Sequence, residues 1–594
     1  MSRIIYKNNY LEKVLIGICG GASVVVMASF VLLFGFDRPM MPKGILYLVQ
    51  VGLLFVFLSE KVIRVFNAES KRQFWRGNWY DAVLLLVLGV LMLGSEKWFD
   101  VEDNLRFLHV AVGAYLVVQV VIKVCRTTVN MAATGNNPTK TLIISFLVLI
   151  VCGGGLLMLP KASTGENLSF IDALFTSTSA TCVTGLIVKD TGSDFTLMGQ
   201  TVILTLIQLG GLGIVVFGAI LALLLGQALN VRESVAMQDL LSARTLGKIG
   251  NIIAFIFLGT VVIEAIGAVS MFGMWNSVPG RVGNIHEQWF CSVFHSISAF
   301  CNAGFSLFDD SLISYQRSWG VFVVLCPLII MGGLGFGVLY NIFNVAVDRL
   351  KRFGRKICSR DDERAAGIPK RLHLQSKIVV SVSFILIIAG MLLIMLLEHY
   401  AGEGSAKSGG ISGAFFQSVT ARTAGFNTVD ISALSDSSKM VLILLMFVGG
   451  SPGSAAGGIK TVTLAVIVIS TIAALRKRSE VEMFKRSMRI VVVGRAIAVT
   501  LLFLVVLFSA VLALNITEHG SGFTMSDIMF ESASALGTVG LSTGITSSLT
   551  TAGKVIIILV MLIGRLGPLT LLAALTFNLK PVKYSYPEEA VIVG

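Results

Sequence analysis

Phe530-Glu-Ser-Ala-Ser-Ala-Leu-Gly-Thr538-Val539-Gly540-Leu541 is a short half-apolar run that ends in small and hydroxylated residues and opens at once into a polar tetrad around a glycine. The same plan recurs three times upstream. Phe175-Thr-Ser-Thr-Ser-Ala180 leads to Val183, Thr184, Gly185 and Leu186; Phe294-His-Ser-Ile-Ser-Ala299 leads to Asn302, Ala303, Gly304 and Phe305; Phe416-Gln-Ser-Val-Thr-Ala421 leads to Thr423, Ala424, Gly425 and Phe426. The tetrad glycines are 119, 121 and 115 residues apart. One such tetrad in an apolar protein is a chance string, whereas four evenly spaced copies with matching lead-ins are a duplicated membrane unit.

Each copy lies between two apolar spans, and its lead-in is too short to cross a bilayer. Such an element cannot face lipid, because unpaired backbone groups at membrane depth cost several kcal/mol each unless they line a wet cavity. It therefore surrounds an aqueous path. Glycine at a fixed place in every copy permits a backbone that turns successive carbonyls toward one axis. A short helix ending there adds the negative end of its dipole, which favours a cation. Four copies make a ring of carbonyls able to replace a cation's hydration shell, and Thr538-Val-Gly-Leu541 is close to the TVGYG string of potassium filters.

Composition agrees with a lipid-embedded chain. The 594 residues are 55% hydrophobic and 14% charged, with a mean hydropathy of +0.83. Apolar runs of spanning length recur, for example Val14 to Phe36, Gly44 to Val65, Leu142 to Leu159 and Lys377 to Leu397. The first run is long and lacks a small-residue cleavage site, so no cleavable signal peptide is expected. The net charge of +13 sits in a few interhelical segments: ten Lys or Arg against four acids from Val345 to Lys377, and six against two from Arg476 to Arg489. Positive-inside bias explains these as cytoplasmic loops, and no nucleic-acid partner is implied. The loop Ser95 to Asn104, with Glu96, Asp100, Glu102 and Asp103, reads as external. Eight cysteines without a CxxC pair indicate neither a disulfide framework nor a zinc site.

The expected fold is an all-α polytopic membrane protein. Four tandem helix/pore-loop/helix repeats (139–245, 246–372, 373–487 and 488–594, the last with the C-terminal tail) surround a pseudo-fourfold pore. An N-terminal four-span bundle, 1–138, precedes them, with spans near 14–36, 44–66, 81–95 and 105–125. Twelve spans put both termini in the cytoplasm, as do Arg3, Lys7 and Lys13 at one end and Lys580 and Lys583 at the other. In the bundle, Glu60-Lys-Val-Ile-Arg-Val-Phe66 and Trp75-Arg-Gly-Asn-Trp-Tyr-Asp81 resemble the second and third helices of a voltage-sensor domain. The fourth span lacks the ladder: between Arg106 and Arg126 it holds only His109 and Lys123. A sensor-like bundle and a packing bundle both stay open.

Ala180-Thr-Cys-Val-Thr-Gly-Leu186, Gln208-Leu-Gly-Gly-Leu-Gly213, Phe300-Cys-Asn-Ala-Gly-Phe305, Arg422-Thr-Ala-Gly-Phe-Asn427, Ile563-Gly-Arg-Leu-Gly-Pro-Leu569 and the tail Tyr586-Pro-Glu-Glu589 together resemble the Trk/Ktr/HKT superfamily of potassium transporters, in particular its TrkH and KtrB membrane subunits. The resemblance covers about Thr139 to Gly594. It implies potassium as the transported ion, no cofactor in this chain, a plasma-membrane location in a lipid bilayer, a homodimer, and a cytosolic nucleotide-binding ring subunit of the TrkA/KtrA kind. In plant members Ser in place of the first filter glycine goes with sodium transport, so Gly185 points to potassium.

The resemblance also implies a gate beneath the filter, in the second span of the third repeat. Gly449, Gly450, Ser451, Pro452 and Gly453, followed by Gly457 and Gly458, remove helix propensity in mid-span, so a helix should break there. A tight small-residue packing seam is the competing reading. Lys460 and Arg565 are cations in apolar surroundings, expected to face the pore or one another's loops; the residue matching Arg565 lies near the gating loop in the family, and Lys460 could equally snorkel. Asp190, Asp309, Asp310 and Asp430, just after their tetrads, either concentrate cations at the mouth or are ordinary loop acids. The third lead-in is one residue shorter, four positions from Ala421 to Gly425 against five from Ala180 to Gly185, which leaves the carbonyl register there open.

Other classes fit less well. There is no HExxH, the six His are dispersed, and Gly453 to Lys460 carries Ile459 where a phosphate loop needs Gly, so neither a membrane enzyme nor a self-contained ATPase is expected. Two alternatives use the same four-loop architecture: the potassium-binding subunit of an ATP-driven, Kdp-like pump, and a sodium-permeable transporter of the same fold.

Overall fold

The computed structural model describes residues 7–36, 40–98, 109, 111–120, 122–123, 138–165, 168–213, 216–217, 219–220, 249–278, 282–357, 369–402, 409–478 and 480–575. Of the acidic loop expected from Ser95 to Asn104, residues 95–98 are instead the end of a helix, while 99–104, Arg106, Arg126, the tail 586–589 and the terminal basic residues Arg3, Lys580 and Lys583 lie outside the described residues.

The described chain is almost entirely helical, with one short antiparallel hairpin, β1 (Val481–Met483) and β2 (Arg486–Met488). Among the described residues, five helices are long and apolar enough to cross a membrane: Tyr10–Phe34, Lys43–Asn67, Ile249–Ser277, Leu374–Tyr400 and Ile490–Thr517. Several of the other stretches read as spans are bent or broken, for a reason that lies in the repeated unit.

The N-terminal bundle consists of α1 (Asn9–Phe34), α2 (Lys43–Asn67), α3 (Lys71–Gly77), α4 (Trp79–Trp98) and α5 (Ala111–Val120). Phe57, Leu116 and Val26 close its core. Charged side chains pair inside it: Lys61 with Asp81 at 2.7 Å, Arg64 with Glu12 at 2.9 Å and Glu60 at 3.0 Å, and Lys123 with Glu60 at 3.6 Å. Lys123 also lies 4.8 Å above the Phe57 ring.

Four units of one design follow. Each has a first helix, a short second helix that stops in the interior, an extended tetrad, and a third helix. The first helices are α6 (Pro138–Leu157), α9 (Ile249–Met271), α13 (Leu374–Tyr400) and α17 (Ile490–Thr517). The short helices are α7 (Phe170–Thr181), α10 (Ile285–Phe300), α14 (Gly410–Thr420) and α18 (Met525–Gly537). The third helices are α8 (Leu197–Leu212), α11 (Cys326–Leu334), α15 (Asp436–Phe447) and α19 (Thr551–Leu566).

The third helices all break. In units one, two and four one glycine does it: Gly213 (φ 81, ψ 127), Gly335 (φ 84, ψ 146) and Gly567 (φ 83, ψ 133) share one conformation that a side chain would strain. Beyond Gly335 the chain turns by 107° into α12 (Phe336–Ile357); beyond Gly567 it continues as α20 (Pro568–Leu575). In unit three the break is the whole stretch from Val448 to Lys460, before α16 (Thr461–Leu475). The sequence suggests a break in the third unit alone. The glycine breaks escape hydropathy because each sits inside an apolar run, where one φ reversal leaves composition unchanged.

The lead-in motif holds each short helix in place. Its Phe, at 175, 294, 416 and 530, is fully buried. Its first Ser bonds the first helix of the same unit in three cases: Ser177 to the Ile150 carbonyl, Ser296 to that of Glu264 and Ser418 to that of Ile387, each at 2.7 Å. A glycine three residues on, Gly153, Gly267 or Gly390, leaves room for that hydroxyl. In unit four Ser532 bonds its own helix at Ile528 instead. Around the ring each short helix packs on the third helix of the preceding unit, α10 on α8, α14 on α11 and α18 on α15, and α7 closes the circle on α19, where Lys554 meets Asp172 at 2.7 Å.

Candidate functional site

The four tetrads meet at the ends of the four short helices. Their backbone alternates in a fixed way. Val183, Asn302, Thr423 and Thr538 have φ of 57, 57, 74 and 49, and two residues later Gly185, Gly304, Gly425 and Gly540 have φ of 90, 71, 81 and 93. Three of the four non-glycine residues are β-branched, for which a positive φ is an outlier costing about 1–3 kcal/mol. Such strain persists only where surrounding structure imposes it.

The glycines close on one another. A Cβ on Gly185 would strike the Ala303 carbonyl, one on Gly304 that of Ala424, one on Gly425 that of Val539, and one on Gly540 that of Thr184. Every contact runs from one unit to the next and the fourth returns to the first. No side chain fits at these positions. Leu186, Phe305, Phe426 and Leu541, the residues that follow, are buried outside this ring.

The shorter third lead-in does not alter this geometry. In units one, two and four the N–H before the glycine reaches back five residues: Thr184 to Ser179 at 2.8 Å, Ala303 to Ser298 at 2.7 Å and Val539 to Ser534 at 2.9 Å. In unit three Ala424 reaches back four, to Thr420, at 2.8 Å. The missing residue is absorbed by tightening the turn between helix and tetrad, and the register is preserved.

Hydroxyls and polar groups of the lead-ins then hold the strands. Ser179 and Ser534 accept the Gly185 and Gly540 N–H groups at 3.1 Å, while Ser298 and Thr420 donate to the Phe305 and Phe426 carbonyls at 2.8 Å. His295 contacts Ser306 at 3.1 Å, and Glu531 accepts from Ser542, from the Thr543 N–H at 3.2 Å and from Thr546 at 2.9 Å. Sequence reasoning missed His295 and Glu531, although both occupy the position after the lead-in Phe, where a fully buried polar group requires a partner.

On one side of the ring a single cavity of about 470 Å³ touches all four glycines and is also lined by Asp190, Asp309, Asp310 and Asp430. These acids serve their loops as well. Asp190 accepts from the Gly192 and Ser193 N–H groups at 2.9 and 2.7 Å, Asp310 from the Ser314 N–H at 3.0 Å, and Asp430 from the Ser432 N–H at 2.9 Å. The loop reading therefore holds for these acids, and their place on the cavity wall leaves the cation-gathering reading to be tested.

On the other side lies the long break of unit three, a closed loop that is a hairpin in outline only, since its two ends pair in parallel at Val448 and Ile459. Its base is zipped: Gly449 N–H to the Ile459 carbonyl at 2.9 Å, Ile459 N–H to Phe447 at 3.2 Å and Thr461 N–H to Gly450 at 3.0 Å. Gly449 has no space for a side chain against Gly457, and Gly457 none against Thr538 and Gly537, so the hairpin rests directly against the fourth tetrad. Unit two pins one limb: Ser451 N–H meets the Gly333 carbonyl at 3.0 Å, Ser451 Oγ donates to Leu334, and Phe336 N–H meets the Gly453 carbonyl at 3.1 Å. Pro452 lies in this limb, where its carbonyl would meet a Cβ on Gly335.

Lys460 and Arg565 face the hairpin. Lys460 donates to the Ala456 carbonyl at 2.7 Å and sits at 3.5 Å from that of Gly457; Gly458 turns the chain between them at φ 65. Arg565, from unit four, donates to Ala455 in the hairpin and to Gly210 in unit one, with Gly211 at 3.5 Å. One guanidinium thus joins three units, using carbonyls left free where α8 ends. Lys460 is held in the loop rather than snorkelling away from it.

An all-α fold built around four inward-ending helices and four converging glycine tetrads defines a polytopic membrane protein. The sequence model of the TrkH family, described as cation transport protein, matches residues 109–581, and the chain belongs to that family. This is a transport family and the chain is not an enzyme; the alternative of an ATP-driven pump subunit gives way to it. The chain is 39% identical to the Ktr system potassium uptake protein B of Bacillus subtilis, over 77% of this chain and 97% of that protein. It is 35% identical to the potassium/sodium uptake protein NtpJ of Enterococcus hirae, again over 77% and 97%. The crystal structure of the potassium transporter TrkH from Vibrio parahaemolyticus superposes with a TM-score of 0.56 at 18% identity, covering 85% of this chain and 99% of that one.

Proposed function

We propose that the chain takes up potassium through the ring formed by Val183 to Leu186, Asn302 to Phe305, Thr423 to Phe426 and Thr538 to Leu541, and that the hairpin from Gly449 to Lys460 is its gate. The observation that carries this reading is the alternation of positive φ in all four tetrads, closed by glycine-to-carbonyl contacts from unit to unit. Carbonyls so aligned substitute for water around a cation, the short-helix dipoles add negative potential, and the acids of the cavity enrich cations before entry. Arg565 holds the hairpin closed by its bonds to two other units and adds a positive charge beneath the ring.

The names of the Bacillus subtilis and Vibrio alginolyticus relatives as Ktr system potassium uptake proteins support potassium. The Enterococcus hirae relative, named a potassium/sodium uptake protein, supports a second reading in which sodium also passes. The protein acts in the plasma membrane as a homodimer with both termini cytoplasmic, under a cytosolic nucleotide-binding ring. The test is rescue of potassium-limited growth with rubidium and sodium as competitors. Rescue competed by rubidium alone is expected; equal competition by sodium selects the second reading, and no rescue by a well-expressed chain rejects both.

A further inference from the structure

One helix of unit two has an exposed apolar stripe that neither the ring nor the gate uses. Along α12, Phe343, Leu350 and Phe353 are 54%, 71% and 62% exposed, too much for residues of this size to be covered by the chain itself. They stand seven and three residues apart, on one stripe of a helix. The opposite side is anchored: Asn341 accepts from the His373 N–H at 2.9 Å and from Ser376 at 2.9 Å, and Val338 and Val345 are buried.

Charge and direction identify what covers the stripe. From Asp348 to Lys356 the helix carries Arg349, Lys351, Arg352, Arg355 and Lys356 against one acid. That acid is already occupied, by Arg352 at 2.9 Å and the Lys370 N–H at 3.1 Å. A helix turned 107° from the preceding apolar segment runs close to the membrane plane when that segment crosses the membrane. A helix in the plane, with aromatic and leucyl side chains on one stripe and basic residues beside it, suits the boundary between acyl chains and anionic headgroups.

The first residue of the same helix touches the gate. Phe336 N–H bonds the Gly453 carbonyl at 3.1 Å, and Leu334, just before the bend, accepts from Ser451. We propose that α12 is an interfacial lever: anionic phospholipid of the cytoplasmic leaflet seats its Phe343, Leu350 and Phe353 stripe and, through Gly335 and Phe336, keeps the hairpin closed. The proposal rests on the reading of the hairpin as a gate.

The test uses the full chain in vesicles of phosphatidylcholine, alone or mixed with phosphatidylglycerol. A nitroxide at Leu350→Cys reports depth by its accessibility to oxygen against a water-soluble nickel chelate, independently of any flux. Burial in acyl chains that deepens with phosphatidylglycerol is expected. In the mixed vesicles Arg349→Gln and Lys351→Gln should each weaken this seating about five-fold. Basal rubidium efflux should fall when phosphatidylglycerol is added, and Leu350→Glu with Phe353→Glu should restore the phosphatidylcholine rate. A nitroxide that stays in water, or that is shielded from both relaxants by protein in every vesicle, overturns the docking. A lipid-seated helix with lipid-independent efflux overturns the lever. Absence of rubidium efflux in every vesicle counts instead against the transport reading and leaves the depth measurement to decide the docking.

Discussion

Units two and three solve one problem in two ways. Both must break the helix that follows the tetrad. Unit two does so at Gly335 alone, and the chain on either side stays helical. Unit three uses everything from Val448 to Lys460, which folds back on itself and lies against the fourth tetrad. A single glycine redirects a helix and frees carbonyls only at the helix end, as at Gly210 and Gly211, which Arg565 grips. The longer break adds Ala455, Ala456 and Gly457 within the loop itself, so that under the proposed gating it is a part that can be held or released.

That contrast can be erased. Replacing Gly450 to Gly458 with one glycine would make the third break resemble the other three. Basal rubidium efflux without cytosolic regulator should then rise the most of any change considered, on the order of a hundred-fold, since every pin on the hairpin goes with it. Efflux that stays at the original rate in a folded variant would make the stretch a packing seam.

The contrast can also be weakened from outside. Arg565→Ala removes bonds that reach units one and three, each charge-assisted and of the order of 1.5–3 kcal/mol, so basal efflux should rise about ten-fold or more. Arg565→Lys should fall between, because one ammonium cannot span Ala455 and Gly210 with fixed donors. Efflux that falls in both variants would show that Arg565 serves conduction rather than closure.

The smallest effects should lie in the single-glycine breaks. Gly213→Ala, Gly335→Ala and Gly567→Ala each force alanine into a conformation costing about 1–3 kcal/mol. Gly335→Ala should lower the melting temperature in detergent the most, because its Cβ would also meet Ser451 and the Pro452 carbonyl at 3.0 Å, while nothing lies within 4 Å at Gly213. Equal losses at all three would mean that the hairpin yields freely to unit two.

Sequence carried the tetrads because glycine spacing and a four-fold repeat survive in one dimension. It also carried the third-unit break, where five glycines and a proline crowd ten residues between Gly449 and Gly458. It did not carry the breaks at Gly213, Gly335 and Gly567, which change one dihedral without changing hydropathy. Nor could it pair Arg565 with Gly210, 355 residues away, since a backbone carbonyl has no letter of its own. In the N-terminal bundle Glu60, Asp81 and Lys123 were visible as charges. Their pairings, Lys123 with Glu60 beside the Phe57 ring and Asp81 with Lys61, depend on how the helices pack, which no spacing within one helix encodes.

The central claim is that the tetrad ring selects the ion while the hairpin only admits it. The direct measurement is the potassium-to-sodium permeability ratio under bi-ionic conditions for the native chain, Gly185→Ser and Arg565→Ala. Gly185→Ser should lower the ratio about ten-fold or more, ~1.4 kcal/mol of lost discrimination, because its side chain would strike the Ala303 carbonyl. Arg565→Ala should leave the ratio unchanged while raising the rate. An unchanged ratio in folded, conducting Gly185→Ser, or a ratio that collapses in Arg565→Ala, would contradict this division of labour.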